Sequence, residues 1–450
     1  MVTEKISHNA LDIKQELDWF QSILKTRSLL NAGKESPFAD IFDIPMPDYS
    51  KSSSPFACFL RECNFGFEER FLLILSLVPH IKPELLDIFL QKNTHTNQVF
   101  TEFGGKRGKY HNGFLPTGET AMFILAGNDL VRRFALYRCF DGDHPFVKNS
   151  ILTLEDIDSG EPFSNGGLSV SREVLDLLTT GEVQKPTYSA SFPARRLSTR
   201  MEWEDLVLGR TTLNQLGEIE NWIRHHHTLL YDWGMIRKLK PGYCALFYGP
   251  PGTGKSLTAS LLGKRTGRDV YRIDLSKTIS KYIGETEKNL AGIFDRAEHK
   301  DWILFFDEAD ALFGKRTNIS DAHDRYANQE VSYLLQRIEE YNGLVILASN
   351  LKSNLDEAFT RRFQAMIQFP MPQTAERLQL WEKGFSNKTV LESHEELQEI
   401  ARSYELSGGS IINVIQHSSL MALRRGEHVI QTRDIMDGIK REYRKIGRTI

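Results

Sequence analysis

The chain has 450 residues, of which 40% are hydrophobic and 26% charged, and its formal net charge at pH 7 is −3. This length allows two or three packed domains, and the near-neutral charge excludes a polybasic nucleic-acid-binding protein. The apolar run at 71–78 stops at Pro79 and is shorter than the roughly 18 residues of a membrane-spanning helix. With four cysteines and no Cys-x-x-Cys pair, a disulfide or zinc framework is not expected. We therefore expect a cytoplasmic globular protein without a membrane span or secretory signal.

The first 200 residues divide into three predicted parts. Residues 1–54 begin with apolar positions at helical spacing and continue into a Pro- and Ser-rich stretch, which predicts an N-terminal helix and a linker. Residues 55–181 show helical patterns followed by short strand-like pieces, which predict a small α+β domain. Residues 182–200 contain Pro, Ser and Thr without periodicity, and they predict an interdomain linker.

The second half of the chain shows a different pattern. In residues 201–373, apolar runs of strand length alternate with helical segments, which is typical of a parallel sheet covered by helices on both faces. The five predicted strands are ALFYG, DVYRIDL, WILFFDE, GLVILASN and AMIQFP. Residues 374–450 have helical patterns only and predict a helical lid. The predicted fold class is α/β, with a five-stranded parallel sheet and a C-terminal helical lid.

A glycine-rich segment lies between the first of these strands and the next helix, which is the setting of a phosphate-binding loop. Its glycines allow backbone N–H groups to surround phosphates, the lysine can reach the β- and γ-phosphates, and the serine hydroxyl can coordinate Mg²⁺. The residues of this predicted nucleotide site are Gly249, Pro250, Pro251, Gly252, Thr253, Gly254, Lys255, Ser256 and Leu257.

The strand WILFFDE ends in two adjacent carboxylates, Asp307 and Glu308. Because successive strand residues point in opposite directions, these carboxylates are predicted to have different roles. We expect Asp307 to hold the Mg²⁺ shell together with Ser256, and Glu308 to activate the attacking water. The pattern therefore predicts hydrolysis of ATP and not only its binding.

Two further signals lie near the fourth and fifth predicted strands, one at the end of the fourth strand and one just before the fifth. Asn350 ends GLVILASN and is expected to hydrogen-bond the water or the γ-phosphate. Arg361 and Arg362 lie just before AMIQFP, where a forked cation supplied by a neighbouring subunit could stabilise transition-state charge. The local sequence does not distinguish the two arginines, and a surface basic pair is the alternative interpretation.

In the order and spacing of these motifs, residues 203–440 resemble the AAA family of ATPases. The resemblance implies ATP and Mg²⁺ as cofactors, a homo-oligomer that is a hexamer, Asn350 as nucleotide sensor, and Arg361 and Arg362 as fingers acting in trans. It also implies a polypeptide-gripping pore loop at Lys281, Tyr282, Ile283 and Gly284. Two departures stand out: Arg361-Arg362-Phe363 replaces the common Arg-x-Gly-Arg, and Ser407–Ser410 offers no arginine at the second sensor.

The N-terminal half and several segments of the second half are similar to AAA ATPases encoded beside bacterial extracellular contractile injection systems. That resemblance implies a winged-helix-like domain at 55–181 and action on injection-particle components or cargo. Our leading hypothesis is a motor that remodels or translocates protein substrates, for which a nucleic-acid partner is not expected. The alternatives are a DNA-associated ATPase that uses the winged-helix-like domain, and a scaffold that nucleotide merely stabilises.

Overall fold

The computed structural model describes residues 2–92, 97–183, 185–189, 192–275, 285–298, 300–310, 332–350 and 360–447. The chain divides into two compact units, Met1–Lys185 and Pro186–Ile450. None of the helices in the described ranges is both long and apolar enough to cross a membrane.

The first unit consists of helices joined by short paired strands. Its helices are α1 (Val2–Asn31), α2 (Pro55–Cys63), α3 (Phe67–Ile81), α4 (Gly118–Ala126), α5 (Leu130–Leu136), α6 (Pro145–Lys148) and α7 (Arg172–Thr180). Its strands are β1 (Lys106–Arg107), β2 (Phe114–Leu115), β3 (Leu152–Leu154) and β4 (Leu168–Val170), which form the antiparallel pairs β1–β2 and β3–β4. This composition agrees with a small α+β domain, and the winged-helix resemblance stays a prediction.

Helix α1 belongs to the core of this unit. Phe20 is fully buried and stacks on Phe71 of α3 with ring centroids 5.4 Å apart, and Trp19 meets Phe67 edge-on at 5.0 Å. The sequence pattern separates residues 1–54 from 55–181, whereas both ranges contribute to one hydrophobic core. The physical reason is that the apolar stripe of α1 is buried against α3 and not left in a linker.

A buried ion pair crosses the same core. Glu16, only 1% exposed, accepts hydrogen bonds from Arg70 at 3.0 Å (Nε to Oε1) and 2.5 Å (Nη2 to Oε2), and from the Tyr49 hydroxyl at 3.0 Å. Burial raises the pKa of Glu16, and the Arg70 guanidinium partly offsets this effect. The carboxylate is thus stabilised by its partners against the cost of leaving water.

The second unit contains the predicted sheet and the predicted lid. Its strands are β5 (Ala194–Leu197), β6 (Tyr243–Tyr248), β7 (Val270–Asp274), β8 (Ile303–Asp307), β9 (Leu344–Ser349), β10 (Ala365–Gln368), β11 (Val390–Leu391) and β12 (Val429–Ile430). Its helices are α8 (Arg210–His227), α9 (Lys255–Thr266), α10 (Glu285–Ala297), α11 (Thr374–Gly384), α12 (His394–Ser403), α13 (Gly408–Arg425) and α14 (Thr432–Lys445). A helical segment at 332–340 precedes β9.

The central sheet has the strand order β10-β6-β9-β8-β7-β5. The five predicted strands are β6 to β10, and all pairs among them are parallel. The prediction of a five-stranded parallel sheet is corrected by a sixth strand, because β5, which lies within the predicted interdomain linker at 182–200, pairs antiparallel with β7. Phe192 and Ala194 are buried in the sheet's core, while Arg196 pairs with Asp269 at 2.8 Å. The sheet is therefore mixed and has six strands.

Both faces of the sheet are covered. Adjacent residues of β8, Phe305 and Phe306, are fully buried in different apolar clusters, and the same alternation holds for Leu246 and Phe247 of β6. Since side chains alternate between faces along a strand, each cluster is the hydrophobic core on one face of the sheet. This two-sided burial explains why these strands read as continuous apolar runs.

The lid is helical except for one short strand pair, β11 with β12, which corrects the prediction of helices only. Helix α13 begins where the Ser407 hydroxyl accepts a hydrogen bond from Ser410 N at 3.2 Å, and it ends at Gly426 with φ +76°. Trp381 and Ile411 are buried in the centre of the lid. The cap of α13 matters for the site, because it contacts the glycine-rich loop.

Candidate functional site

The loop between β6 and α9 depends on glycine at two positions. Gly249 has φ +148°, and a Cβ atom there would lie 2.0 Å from the carbonyl oxygen of Phe369. Gly254 has φ +99° and immediately precedes α9, which begins at Lys255. The first N–H groups of a helix lack intrahelical partners and, with the helix dipole, favour an anion. The loop and the start of α9 therefore provide backbone N–H groups that can bind a phosphate chain.

Lys255 is the buried cation of this loop, with 8% of the residue exposed. Its Nζ donates to two carbonyl oxygens of the loop at 2.6 and 3.0 Å, and to Oδ1 of Asn350 at 3.0 Å. Burial lowers the pKa of Lys255, while the carboxylates of Asp307 and Asp310 act in the opposite direction. A buried ammonium bonded to neutral oxygens gains from an incoming anion, because the anion supplies the missing negative charge.

The two carboxylates at the end of β8 differ in their surroundings. Asp307 is partly buried; its Oδ2 lies 2.9 Å from Nη2 of Arg272, and its Oδ1 accepts from Glu308 N at 3.0 Å. Glu308 is exposed and has φ +55°, a left-handed conformation that costs a non-glycine residue about 1–3 kcal/mol. The turn at Glu308 thus separates a held carboxylate from one that faces solvent.

Asp310 is a site residue that sequence reasoning missed. It accepts a hydrogen bond from Asn350 N at 3.1 Å and another from the Ser349 hydroxyl. These bonds fix the end of β9, and with it the Asn350 side chain that meets Lys255. The sequence offers one signal, a further carboxylate that follows Asp307 and Glu308 after a single alanine. Arg272 was missed as well, and its signal is a lone cation inside the apolar strand β7.

A cavity of about 650 Å³ lies beside the loop. It is lined by loop residues that include Pro251, Ser256 and Leu257, by both Asp307 and Asn350, and by the segment 205–209. Leu206, Val207, Leu380 and Ile412 supply an apolar side. A ligand with a flat apolar group and a phosphate chain fits this lining.

The lid contacts the loop directly. Gly409 N donates to the carbonyl oxygen of Gly252 at 2.9 Å, and a Cβ atom on Gly252 would lie 2.6 Å from Ser407 Oγ. Only a residue without a side chain allows this close approach. The small residues of Ser407–Ser410, which lack an arginine, therefore join the lid to the phosphate-binding loop.

The arginine pair lies away from this cavity. Ala365 of β10 pairs with Ala245 and Gln368 with Tyr248, so residues before β10 lie at the edge where β6 starts, and the loop lies at the edge where β6 ends. At about 3.3 Å per residue the two edges are on the order of 10 Å or more apart. Neither arginine is among the residues that line the cavity.

The two arginines also differ from one another. Arg362 Nε lies 3.2 Å from Oε1 of Glu339, whose Oε2 accepts from Lys240 Nζ at 2.8 Å. Arg361 is exposed and has no ion-pair partner among the residues that the structure describes. The pore-loop residues Lys281, Tyr282, Ile283 and Gly284 lie outside the described ranges.

A glycine loop that cradles phosphates, a buried lysine, an acidic strand end and a polar neighbouring strand end together define a P-loop nucleotide-binding protein. The sequence profile of the "ATPase family associated with various cellular activities (AAA)" matches residues 245–371. The "26S proteasome regulatory subunit 6B homolog" of Dictyostelium discoideum is 30% identical over 332 residues, which cover 67% of this chain and 80% of that protein. The chain belongs to the AAA family.

Two other relatives match a shorter part of the chain. The "Proteasome-activating nucleotidase" of Methanocella arvoryzae is 32% identical over 204 residues, which cover 44% of this chain and 49% of that protein. The "Vacuolar protein sorting-associated protein 4A" of Homo sapiens is 32% identical over 188 residues, with 41% and 43% covered. The chain thus spans about half the length of these two relatives, or less.

The chain is an ATP-hydrolysing enzyme that uses ATP with Mg²⁺. Its residues fit both groups, because the buried Lys255 and the glycine loop favour phosphate, and Asp307 with the Ser256 hydroxyl offers the hard oxygen atoms that Mg²⁺ prefers. When bound, Mg²⁺ neutralises phosphate charge that develops during hydrolysis.

Proposed function

We propose that the chain works as a ring-shaped homo-oligomer, a hexamer, in which each ATP site is completed by the next copy. The observation that carries this proposal is the separation of Arg361 and Arg362 from the cavity of their own chain. An arginine near the start of β6 and β10, at the opposite end of these strands from the loop, can reach a γ-phosphate only in another copy. Such a head-to-tail contact closes into a ring when the rotation between copies is suitable.

The roles that we propose for the site residues are supported by their positions. Lys255 and the loop from Gly249 to Leu257 hold the phosphates, and Ser256 and Asp307 hold Mg²⁺. Glu308, which is exposed and directly follows Asp307, takes a proton from the attacking water. Asn350 orients the water or the γ-phosphate from a position fixed by Asp310.

Of the two arginines, we assign the contact with the neighbour's γ-phosphate to Arg361. Arg362 is tied to Glu339, whereas Arg361 is exposed and available. The Lys240–Glu339–Arg362 cluster then supports the turn that carries Arg361. Removal of an arginine finger lowers turnover by about 10³-fold or more in related phosphoryl-transfer enzymes.

The substrate class that we propose is protein. Two lines of support exist: the sequence of the pore loop at Lys281–Gly284, and the relatives, whose names concern the proteasome and vacuolar protein sorting. In this proposal ATP hydrolysis drives the remodelling or translocation of a polypeptide. Service to a contractile injection system, by cargo loading, assembly or sheath recycling, rests on the narrower sequence resemblance alone.

A second candidate is a DNA-associated ATPase, and one observation favours it. The β1–β2 hairpin of the first unit presents Arg107 and Lys109 to solvent. Tyr110 is 88% exposed, and Lys109 Nζ lies 5.5 Å from the centroid of its ring. Exposed cations next to an aromatic ring suit a phosphate backbone and stacked bases. The near-neutral charge of the whole chain does not favour it.

The completion of each site by a neighbour is tested by mixing two inactive variants. Lys255→Ala loses its own phosphate site but keeps its arginines, and Arg361→Ala keeps its phosphate site. Mixed rings contain interfaces at which an intact loop meets an intact arginine, so we expect mixing to restore part of the ATPase activity. If the mixture stays as inactive as its components, each site works without its neighbour and the proposal is wrong.

The substrate class is tested by capture on Glu308→Gln, which binds ATP and turns it over slowly, with Lys255→Ala as the matched control. Protein retained only by Glu308→Gln supports the remodelling proposal and identifies the target. DNA retained instead, and released as salt is raised, would support the second candidate, because phosphate contacts release counterions. Full biological activity of Glu308→Gln would favour the scaffold alternative.

A further inference from the structure

Residues 231–240, which lead from the end of α8 to the start of β6 and are called here the Trp233 segment, expose several large apolar side chains. The exposed fractions are 58% for Tyr231, 72% for Trp233, and 40% for both Ile236 and Leu239. The backbone is held by local hydrogen bonds, as from Trp233 N to Thr228 O at 3.0 Å and from Leu239 N to Met235 O at 2.9 Å. An ordered segment with this much exposed apolar surface is uncommon unless a partner covers it.

The Trp233 segment is continuous with the edge that carries the arginine pair. Its last residue, Lys240, donates to Glu339 at 2.8 Å, and Glu339 in turn pairs with Arg362. A cavity of about 220 Å³ is lined by Lys240, Glu339, Arg361 and Arg362 together. The segment and the arginines therefore belong to one surface, at the start of β6 and β10.

We propose that the Trp233 segment is a contact surface between copies of this chain and packs against the nucleotide-site edge of the next copy. This inference rests on the proposed function, because it assumes that Arg361 reaches a neighbour's ATP. Any arrangement that brings Arg361 to that ATP also brings the surface around it against the rim of the same cavity. The partner of the Trp233 segment is thus a second copy of this chain, which binds through the rim of its nucleotide cavity, formed by residues 201–205, Met371 and Ile412.

The charges of the two surfaces are complementary. On the Trp233 segment, Arg237, Lys238 and Lys240 are exposed, and Asp232 is the single acid of the segment. On the rim, the turn at 202–205 exposes Glu204 and Asp205, while Glu202 of the same turn is already paired with Lys264 at 2.5 Å. Bound ATP adds further negative charge beside this turn. Complementary charges of this kind fix the register of two docking surfaces.

The rim also offers apolar area. Met201 and Ile412, which line the cavity, are 37% and 49% exposed, and Met371 is 39% exposed. An aromatic anchor surrounded by smaller apolar contacts and a charged border is the usual composition of a protein interface. Trp233 is the best candidate for that anchor, since it has the largest exposed fraction in the segment.

The experiment uses the full chain with Glu308→Gln, so that ATP stays bound. We expect Trp233→Asp to raise the concentration for half-assembly about 30-fold or more, as measured by sedimentation velocity over a range of concentrations. Binding of a fluorescent ATP analogue to the single copy should be unchanged, because Trp233 does not line the cavity. The matched control is Val390→Asp in the lid, a residue 62% exposed, which should assemble like the parent.

A photocrosslinking residue at position 233 gives an independent measurement on an intact fold. With a mixture of isotopically light and heavy copies, we expect mixed light–heavy crosslinks to peptides at 201–209 or 408–413. Crosslinks confined to one chain, or an unchanged assembly of Trp233→Asp, would overturn the inference while the ring itself stands. Failure of the parent protein to assemble with ATP would instead overturn the proposed function.

Discussion

Nζ of Lys255 lies 3.0 Å from Oδ1 of Asn350, which joins the phosphate-binding loop to the tip of the neighbouring strand. The contact follows from the sheet, because Tyr248 at the end of β6 pairs with Ser349 at the end of β9. Each loop after these strands begins at the same edge. A bound γ-phosphate therefore competes for the Lys255 cation with the amide oxygen that now accepts from it.

Asn350→Ala should separate binding from turnover. Loss of the amide removes one acceptor of Lys255 and one polar group near the γ-phosphate, so we expect kcat to fall about 10²-fold or more. Binding of ATP, measured with a fluorescent analogue, should change much less, because the loop and Lys255 remain. Equal losses of kcat and of ATP affinity would contradict a role in the chemical step.

Replacement of Lys255 by Met should leave the nucleotide-free protein at least as stable as the parent at pH 7.5, while ADP no longer stabilises it. Since burial lowers the pKa of Lys255, the unfolded chain binds more protons between the folded pKa and 10.5. Parent stability therefore gains from this residue as pH rises through that window, and the advantage of Lys255→Met shrinks. Thermal unfolding between pH 7 and 10, with and without ADP, measures both effects. If the stability advantage of Lys255→Met grew as the pH rose, the predicted direction of the pH dependence would be wrong.

Glu308→Gln should lower kcat by about 10²–10⁴-fold, the usual contribution of a general base, and should keep ATP affinity within a few fold. The change conserves shape and keeps the left-handed backbone at φ +55°. Single-turnover hydrolysis with a fluorescent ATP-binding assay tests this assignment. A variant that hydrolyses ATP at the parent rate would transfer the role of base to another residue.

Arg361 and Glu339 should give different phenotypes. Arg361→Ala should lose turnover about 10³-fold with ATP binding intact, because the charge acts in the transition state. Glu339→Gln weakens the support of Arg362 and should cost no more than about 10-fold, comparable to the loss of one charge-assisted hydrogen bond. Steady-state ATPase rates at saturating ATP compare the two. A larger loss for Glu339→Gln, with Arg361→Ala active, would reverse our assignment.

The buried pair of the first unit should behave as one element. Glu16→Leu alone leaves Arg70 uncompensated and should destabilise the unit by about 3–5 kcal/mol, whereas Glu16→Leu with Arg70→Leu should recover much of the loss. Denaturant unfolding of the four proteins of this double-mutant cycle gives the coupling energy. Additive single-variant effects would mean that the hydrogen bonds at 2.5 and 3.0 Å contribute independently.

The strands β6 to β10 could be predicted because burial on both faces makes each of them a continuous apolar run. Strand β5 could not, since Ala194–Leu197 contains two exposed arginines and owes its conformation to pairing with β7. The phosphate-binding residues could be assigned from local sequence alone. The difference between Arg361 and Arg362 could not, because it depends on Glu339, which is distant in sequence and near only in the fold. Arg272 and Asp310 each have a local sequence signal, but that signal does not show that they contact Asp307 and Asn350.

The edge strand β5 also sets a limit on where the ATPase half can be separated. A fragment that begins at residue 201 retains every nucleotide-site residue but loses β5. The backbone groups of β7 that pair with β5 are then unpaired, and Phe192, which packs in the same apolar cluster, is absent. An open strand edge next to uncovered apolar surface is a template for aggregation. A fragment that begins before Phe192 keeps β5, which covers the open side of β7. The shorter ATPase fragment should therefore precipitate, and the longer fragment should stay in solution.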